Sequence, residues 1–141
     1  MFETPLFEWA GRSFGISSST QLNSDLAVVG KTYIGNVVSR EAISSWGNSA
    51  ELSLPAGQYI ITAGLTTRDN QMGKSCTMRI ISASGTEYAM RQSIHCSTID
   101  LYSGNLSCII HLGATDTLYL QSWARDAVSF ASIVLIAVRL K

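Results

Sequence analysis

Few side chains in this sequence could do chemistry. His95 and His111 are its two histidines, and Cys76, Cys96 and Cys108 its three cysteines. His95 precedes Cys96, which raises a Cys/His nucleophile pair. Neighbours on a strand point to opposite faces, however, so these two would not meet. His111 falls inside the apolar run "NLSCIIHL" (105–112) and reads as a packed or interface residue. Carboxylates for glycoside hydrolysis could come only from Asp69, Asp100 and Asp126, and nothing in the pattern singles out one as an acid. Asp69 and Asp126 could share a calcium ion with loop carbonyls, a question the sequence leaves open. "GKSC", after Met72, lacks the earlier glycine and the strand-to-helix setting of a phosphate loop. No cysteine pair has metal spacing and the count is odd, so the thiols read as reduced, buried apolar groups. The expectation is no catalytic residue, no metal, no cofactor and no enzyme.

The elements that would carry these residues are strands. Helix signals are nearly absent; "SREAISSW" (39–46) could form one turn before Gly47. Short β-rich runs recur between Gly, Asn, Asp and Ser clusters, the mark of a sandwich or barrel. They are "YIGNVVS" (33–39), "AELSL" (50–54), "GQYIITAGLTT" (57–67), "SCTMRIIS" (75–82), "TEYAMRQSI" (86–94), "NLSCIIHL" (105–112), "DTLYLQSW" (116–123) and "SFASIVLIAVRL" (129–140). Residues 13–30 are Ser-rich and weakly patterned; the expectation is an irregular attachment segment over 1–30 and a head domain over 31–141.

The chain has 141 residues, zero formal net charge, 46% apolar and 14% charged residues. That charge fraction is well below the usual quarter or so, which points to surface hidden by self-association. Near-neutrality gives no electrostatic footprint for nucleic acid or an anionic membrane. "MFETPLFEWAGRSF" has neither a basic start nor a long apolar run, so no secretory signal is expected. The closing apolar run is too short to span a bilayer, so no membrane insertion is expected.

Three stretches carry a resemblance. "LPAGQYIITAGLTT", "LSCIIHLGATDTLYLQS" and "VSFASIVLIAVRL" resemble the central strand, the strand–turn–strand and the closing strand of the tumour necrosis factor and complement globular-head superfamily. They span residues 54–140. In the second, Asp116 is separated from Gly113 by Ala-Thr, a departure from the family's turn. The resemblance implies an all-β, antiparallel, two-sheet jelly-roll sandwich that forms a homotrimer.

Strand faces sharpen this. Cys76, Met78 and Ile80 oppose Thr77 and Arg79, and Leu118 and Leu120 oppose Thr117, Tyr119 and Gln121; these strands have a wet outer side. The closing strand is apolar on both. Phe130, Val134, Ile136 and Val138 share one face, Ile133, Leu135 and Ala137 the other. In the jelly roll resembled, the closing, central and 105–112 strands form one sheet whose outer face meets sister subunits. Ile60, Ile109, His111, Ile133 and Leu135 are therefore the expected trimer interface. The alternative cover is residues 1–30 of the same chain, with Phe2, Leu6, Phe7 and Trp9.

Antiparallel connectivity sends "PAG", "ASG" and "GAT" to one end and 68–75, 95–105 and 123–129 to the other. The latter supply Arg68, Asp69, Asn70, Asp100, Tyr102, Trp123, Arg125 and Asp126. Loops on a rigid sandwich often hold recognition residues, and this mixture of amide, charge and aromatic suits polar ligands such as glycans. The expected function is a non-enzymatic, trimeric virion structural or receptor-binding head, on a phage particle or bacterial assembly. Its partners would be a host-surface glycan or receptor and, through the N-terminus, a stalk or capsid protein. The alternatives are a capsid decoration protein or a monomeric carbohydrate-binding protein or enzyme.

Overall fold

The computed structural model describes residues 29–141, and the 1–28 part of the attachment segment lies outside them. Ten strands follow in order: β1 Thr32–Ile34, β2 Asn36–Val37, β3 Glu41–Ala42, β4 Gly47–Leu54, β5 Gly57–Thr67, β6 Ser75–Ser82, β7 Glu87–His95, β8 Ser103–Leu112, β9 Asp116–Trp123 and β10 Val128–Arg139. They form two antiparallel five-stranded sheets. One runs β1-β10-β5-β8, with β3 also on β10; the other runs β2-β4-β9-β6-β7. Apart from the β6–β7 hairpin, each connection from β4 onward crosses between sheets. The "SREAISSW" segment is extended at Glu41–Ala42 rather than helical, because its backbone pairs with Val128 and Ser129 of β10.

The core lies between the sheets and follows from alternation. Tyr59, Ile61, Ala63 and Leu65 of β5 face Met78 and Ile80 of β6 and Leu118 and Leu120 of β9, all closed to solvent. Burying such side chains contributes roughly 1.5–3 kcal/mol each. The polar groups taken in with them are matched: the Ser49 and Ser122 hydroxyls lie 2.7 Å apart, and Thr67 Oγ1 accepts from the Tyr102 N–H at 3.1 Å. At Gly104 of β8 there is no room between the sheets for a side chain. A Cβ on Gly104 would stand 2.7 Å from Ile94 Cγ1 and 2.9 Å from Met78 Cε.

Three of the ladders carry a register shift, at Asn48/Ala50 of β4, at Met78/Ile80 opposite β7 and at Phe130/Ser132 of β10; the last two re-aim side chains. In β10 the pairing steps from Phe130↔Thr67 to Ser132↔Thr66, so Ala131 is an extra, unpaired residue. It shifts the alternation by one. Phe130 points inward, and beyond the bulge so do Leu135, 2% exposed, and Ala137, with Ile133 packed against the core. The sequence pattern set Ile133 and Leu135 on the outer face; the bulge instead places Val134, Ile136 and Val138 there. In β7 the pairing steps from Met78↔Gln92 to Ile80↔Tyr88, so residues 89–91 stand opposite the single Arg79. Ala89 within this bulge has φ 63°, a left-handed conformation that costs a non-glycine residue about 1–2 kcal/mol.

Candidate functional site

The outer face of the β1-β10-β5-β8 sheet can be read row by row from its register. Thr32, Val138, Ile60 and Ile109 lie side by side across four strands. Ile34, Ile136, Thr62 and Ser107 form the next row, then Val134, Gly64 and Asn105, then Ser132, Thr66 and Ser103. His111 flanks the first row, opposite Gln58. Not one of these positions is Asp, Glu, Lys or Arg. Ile34 is 72% exposed and Ile109 64%, with Ile60 and Val134 also open to solvent. The face is graded: aliphatic toward the end with the short turns, hydroxyl and amide toward the other. Of the interface residues expected from sequence, the structure brings Ile60, Ile109 and His111 together here and sends Leu135 and Ile133 to the core side.

The other sheet turns a different face to water. Glu51, Thr77, Arg79, Gln121, Glu87 and Arg91 lie on it, and an ordered ladder crosses it. Asn48 Oδ1 accepts from Gln121 Nε2, Gln121 Oε1 accepts from Arg79 Nε, both at 2.9 Å, and Glu87 is held by both nitrogens of the Arg91 fork at 2.7 and 2.9 Å. Those hydrogen bonds from Arg91 hold the Glu87 carboxyl below its ordinary range.

The three long loops do meet at one end. The 68–74 loop runs antiparallel to 96–102: Tyr102 O accepts from Thr67 N, Ile99 O from Asn70 N and Cys96 O from Gly73 N. Loop 124–127 joins them through Lys74 Nζ to Ala127 O at 2.9 Å, and the start of β10 does so through Arg68 N to Ser129 O at 2.9 Å. Arg68, Asp69, Asn70, Asp100, Arg125 and Asp126 are exposed there. Asn70, at φ 61°, makes the tight turn. Tyr102 is half-buried, its hydroxyl engaged with Ser97 and Thr98, and those bonds hold the phenol below its ordinary range. Trp123 pairs with Thr77 at the end of β9, on the flank of the wet sheet rather than at the tip. Sequence reasoning passed over three residues here: Met72, Ile99 and Leu101, all exposed on the paired loops. Their signal was an apolar residue between polar neighbours, as in "TIDLY", which also reads as an ordinary loop.

No catalytic constellation comes together among the described residues. His95 is exposed and its Nδ1 lies 2.7 Å from Ser75 Oγ, whereas Cys96 is buried against Thr67. The two point apart, as strand geometry requires. Burial pushes the Cys76 thiol up to about 12, with Cys96 adding to the effect, and raises Cys108 as well. Such thiols stay protonated and unreactive. No three His, Cys, Asp or Glu side chains of the described residues converge on a metal position.

No protein-family model matches the chain, and no curated protein matches it. Among solved structures, it is similar to the enzymatically active domain of tailspike protein 4 of bacteriophage CBA120, at 14% identity with a TM-score of 0.29. The match covers 79% of this chain and 17% of that one. So weak a likeness supports no argument about activity.

Proposed function

We propose that this chain is a non-enzymatic head module that assembles as a homotrimer, with its long-loop end presented to a ligand and its role in a virion. The observation that carries the reading is the charge-free outer face of the β1-β10-β5-β8 sheet. A contiguous, exposed aliphatic patch on a β-sheet marks an interaction surface, and this one joins exposed Ile34, Ile60, Ile109 and Val134 through half-buried Ile136 and Val138. Two further features support it. The strand order, with connections alternating between sheets, agrees with a jelly roll, and the strands expected to share the buried-face sheet do so. In the jelly-roll superfamily that the sequence resembles, that face is the one sister subunits cover. Placement in a virion, and recognition of a host glycan or receptor by the loop end, extend the same resemblance.

The test is the mass of the full chain in solution by light scattering. Three times the 15.2-kDa subunit mass is expected, with hydrogen exchange slowed over β5, β8 and β10. A stable single subunit with those outer positions exchanging freely would overturn the reading. Glycan-array binding that is lost on replacing Arg68, Asp100 and Arg125 together by alanine would support the loop end as the ligand surface; binding unaffected by that change would exclude it.

A further inference from the structure

A second cluster, on the wet sheet and away from the loop end, is built in a way that the module reading does not use. Trp46 closes the connection from β3 to β4 and lies over this face. The Arg79 guanidinium carbon sits 4.1 Å from the Trp46 ring centre and that of Arg91 5.1 Å. Arg79 comes from β6 and Arg91 from the bulge of β7, where Ala89 adopts its left-handed φ and Met90 is driven out to 86% exposure. Bulges that re-aim a side chain, and backbone held in a sparsely populated region, gather at functional sites. Here the bulge brings a second guanidinium to a ring that already holds one.

The two cations share one anion. Glu87 accepts from Arg91 Nε and Nη2 and, at 3.5 Å, from Arg79 Nη1. Arg79 Nε is taken by Gln121. Arg79 Nη2 and Arg91 Nη1 have no hydrogen-bond partner among the described residues, so the cluster keeps a net positive charge with unused donors. Stacking on Trp46 and the Glu87 clamp fix the guanidinium planes in advance, which removes part of the ordering cost of binding. Alongside run the Gln121 and Asn48 amides, groups that exchange hydrogen bonds with hydroxyls, and the exposed Met90 offers an apolar edge.

We propose that Trp46, Arg79 and Arg91, with Glu87, Gln121 and Met90 around them, form a binding site for an acidic saccharide, whose carboxylate meets the free edges of the two guanidinium groups. A nucleic acid fits less well. It presents a phosphate at every step and calls for a basic stripe, whereas this neutral chain offers two arginines at one spot.

The full chain titrated with tetragalacturonate, with maltotetraose and with sodium acetate at equal carboxylate concentration tests this by NMR. The tetragalacturonate titration should shift the Trp46 indole N–H and the Arg91 Nε–H saturably, with maltotetraose leaving both in place. Arg91→Gln, at a surface position, should weaken binding about tenfold, the worth of one charge-assisted hydrogen bond together with the loss of the planar group that Glu87 holds in place. Arg91→Lys should recover only part of that, because an ammonium keeps the charge without the planar fork. Absence of a saturable shift, equal affinity in Arg91→Gln, or full recovery with lysine would overturn the site. An equal response to acetate would overturn its assignment to a saccharide. The readout does not depend on oligomeric state, so it fails or succeeds separately from the trimer.

Discussion

The outer faces of the two sheets are built from strands of similar length and alternation, yet they treat charge in opposite ways. One carries Glu51 and, joined into a ladder by hydrogen bonds through Gln121 and Asn48, Arg79, Glu87 and Arg91. The other has no ionisable side chain except His111 across four strands. An apolar residue on a surface is ordinary; a face from which charge is missing is not, since charge is what keeps a sheet soluble and apart from its neighbours. The difference therefore separates a charged, hydrogen-bonded face from an uncharged, aliphatic one that we propose is covered by sister chains, and it can be broken from either side.

The largest effect is expected from placing charge on the uncharged face. Ile136→Glu should abolish assembly, taking the light-scattering mass to that of one subunit with the circular dichroism spectrum kept. Tyr119→Glu, on the wet face, should leave the mass as it was. Between the faces, Leu118→Ala empties a fully buried position and should cost about 2–5 kcal/mol in urea denaturation, whatever the oligomeric state. A smaller effect concerns pH. The Cys76 thiol, held up to about 12 by burial, ionises in the unfolded chain first, near pH 8.5–9. Stability should be complete below that range and decline as pH rises toward 12. Cys76→Ala should flatten that decline, and a thiol reagent at pH 8 should leave Cys76 unmodified in the folded protein. Smallest is the ladder itself. Glu87→Gln should lower Tm by no more than about 3 °C, because an exposed ion pair contributes little. Its carboxyl titrates low, so the difference from the parent should be present at neutral pH and vanish as pH falls through the carboxylate range.

Much of this architecture was legible in the chain. The turns "PAG", "ASG" and "GAT" mark real strand ends, and the alternation of β5, β6, β8 and β9 gave the correct inward residues because the extra residues of the register shifts fall on their partners β4, β7 and β10 and not on them. Grouping β5, β8 and β10 in one sheet also held. What escaped was the aim of β10. Periodicity read through Ala131 assumes a continuous ladder, and "FASIV" contains no glycine or proline to mark the break. At the break Arg40 Nη1 donates to the Ala131 carbonyl at 3.2 Å, a bond between residues 91 apart in the chain that no local pattern announces. The loop end was legible as a cluster, because antiparallel connectivity alone sends those loops together. Its exposed Met72, Ile99 and Leu101 were not, since only the solved loop pairing shows which residues are pushed outward. The Trp46 cluster was invisible for the same reason: it joins residues from three separated segments through a bulge.

The extra residue in β10 gives the strand a reading frame. From Ile133 to Val138 the strand is greasy on both sides, so excising that one alanine would exchange the two sets wholesale. Leu135 and Ala137 would turn to the solvent side, and Val134, Ile136 and Val138 would be forced into the space shaped for them. Composition would barely change, yet the contact surface would be rewritten in a single step. A strand of this kind can hand a lineage a new partner through one codon gained or lost, while hydropathy along the chain registers almost nothing.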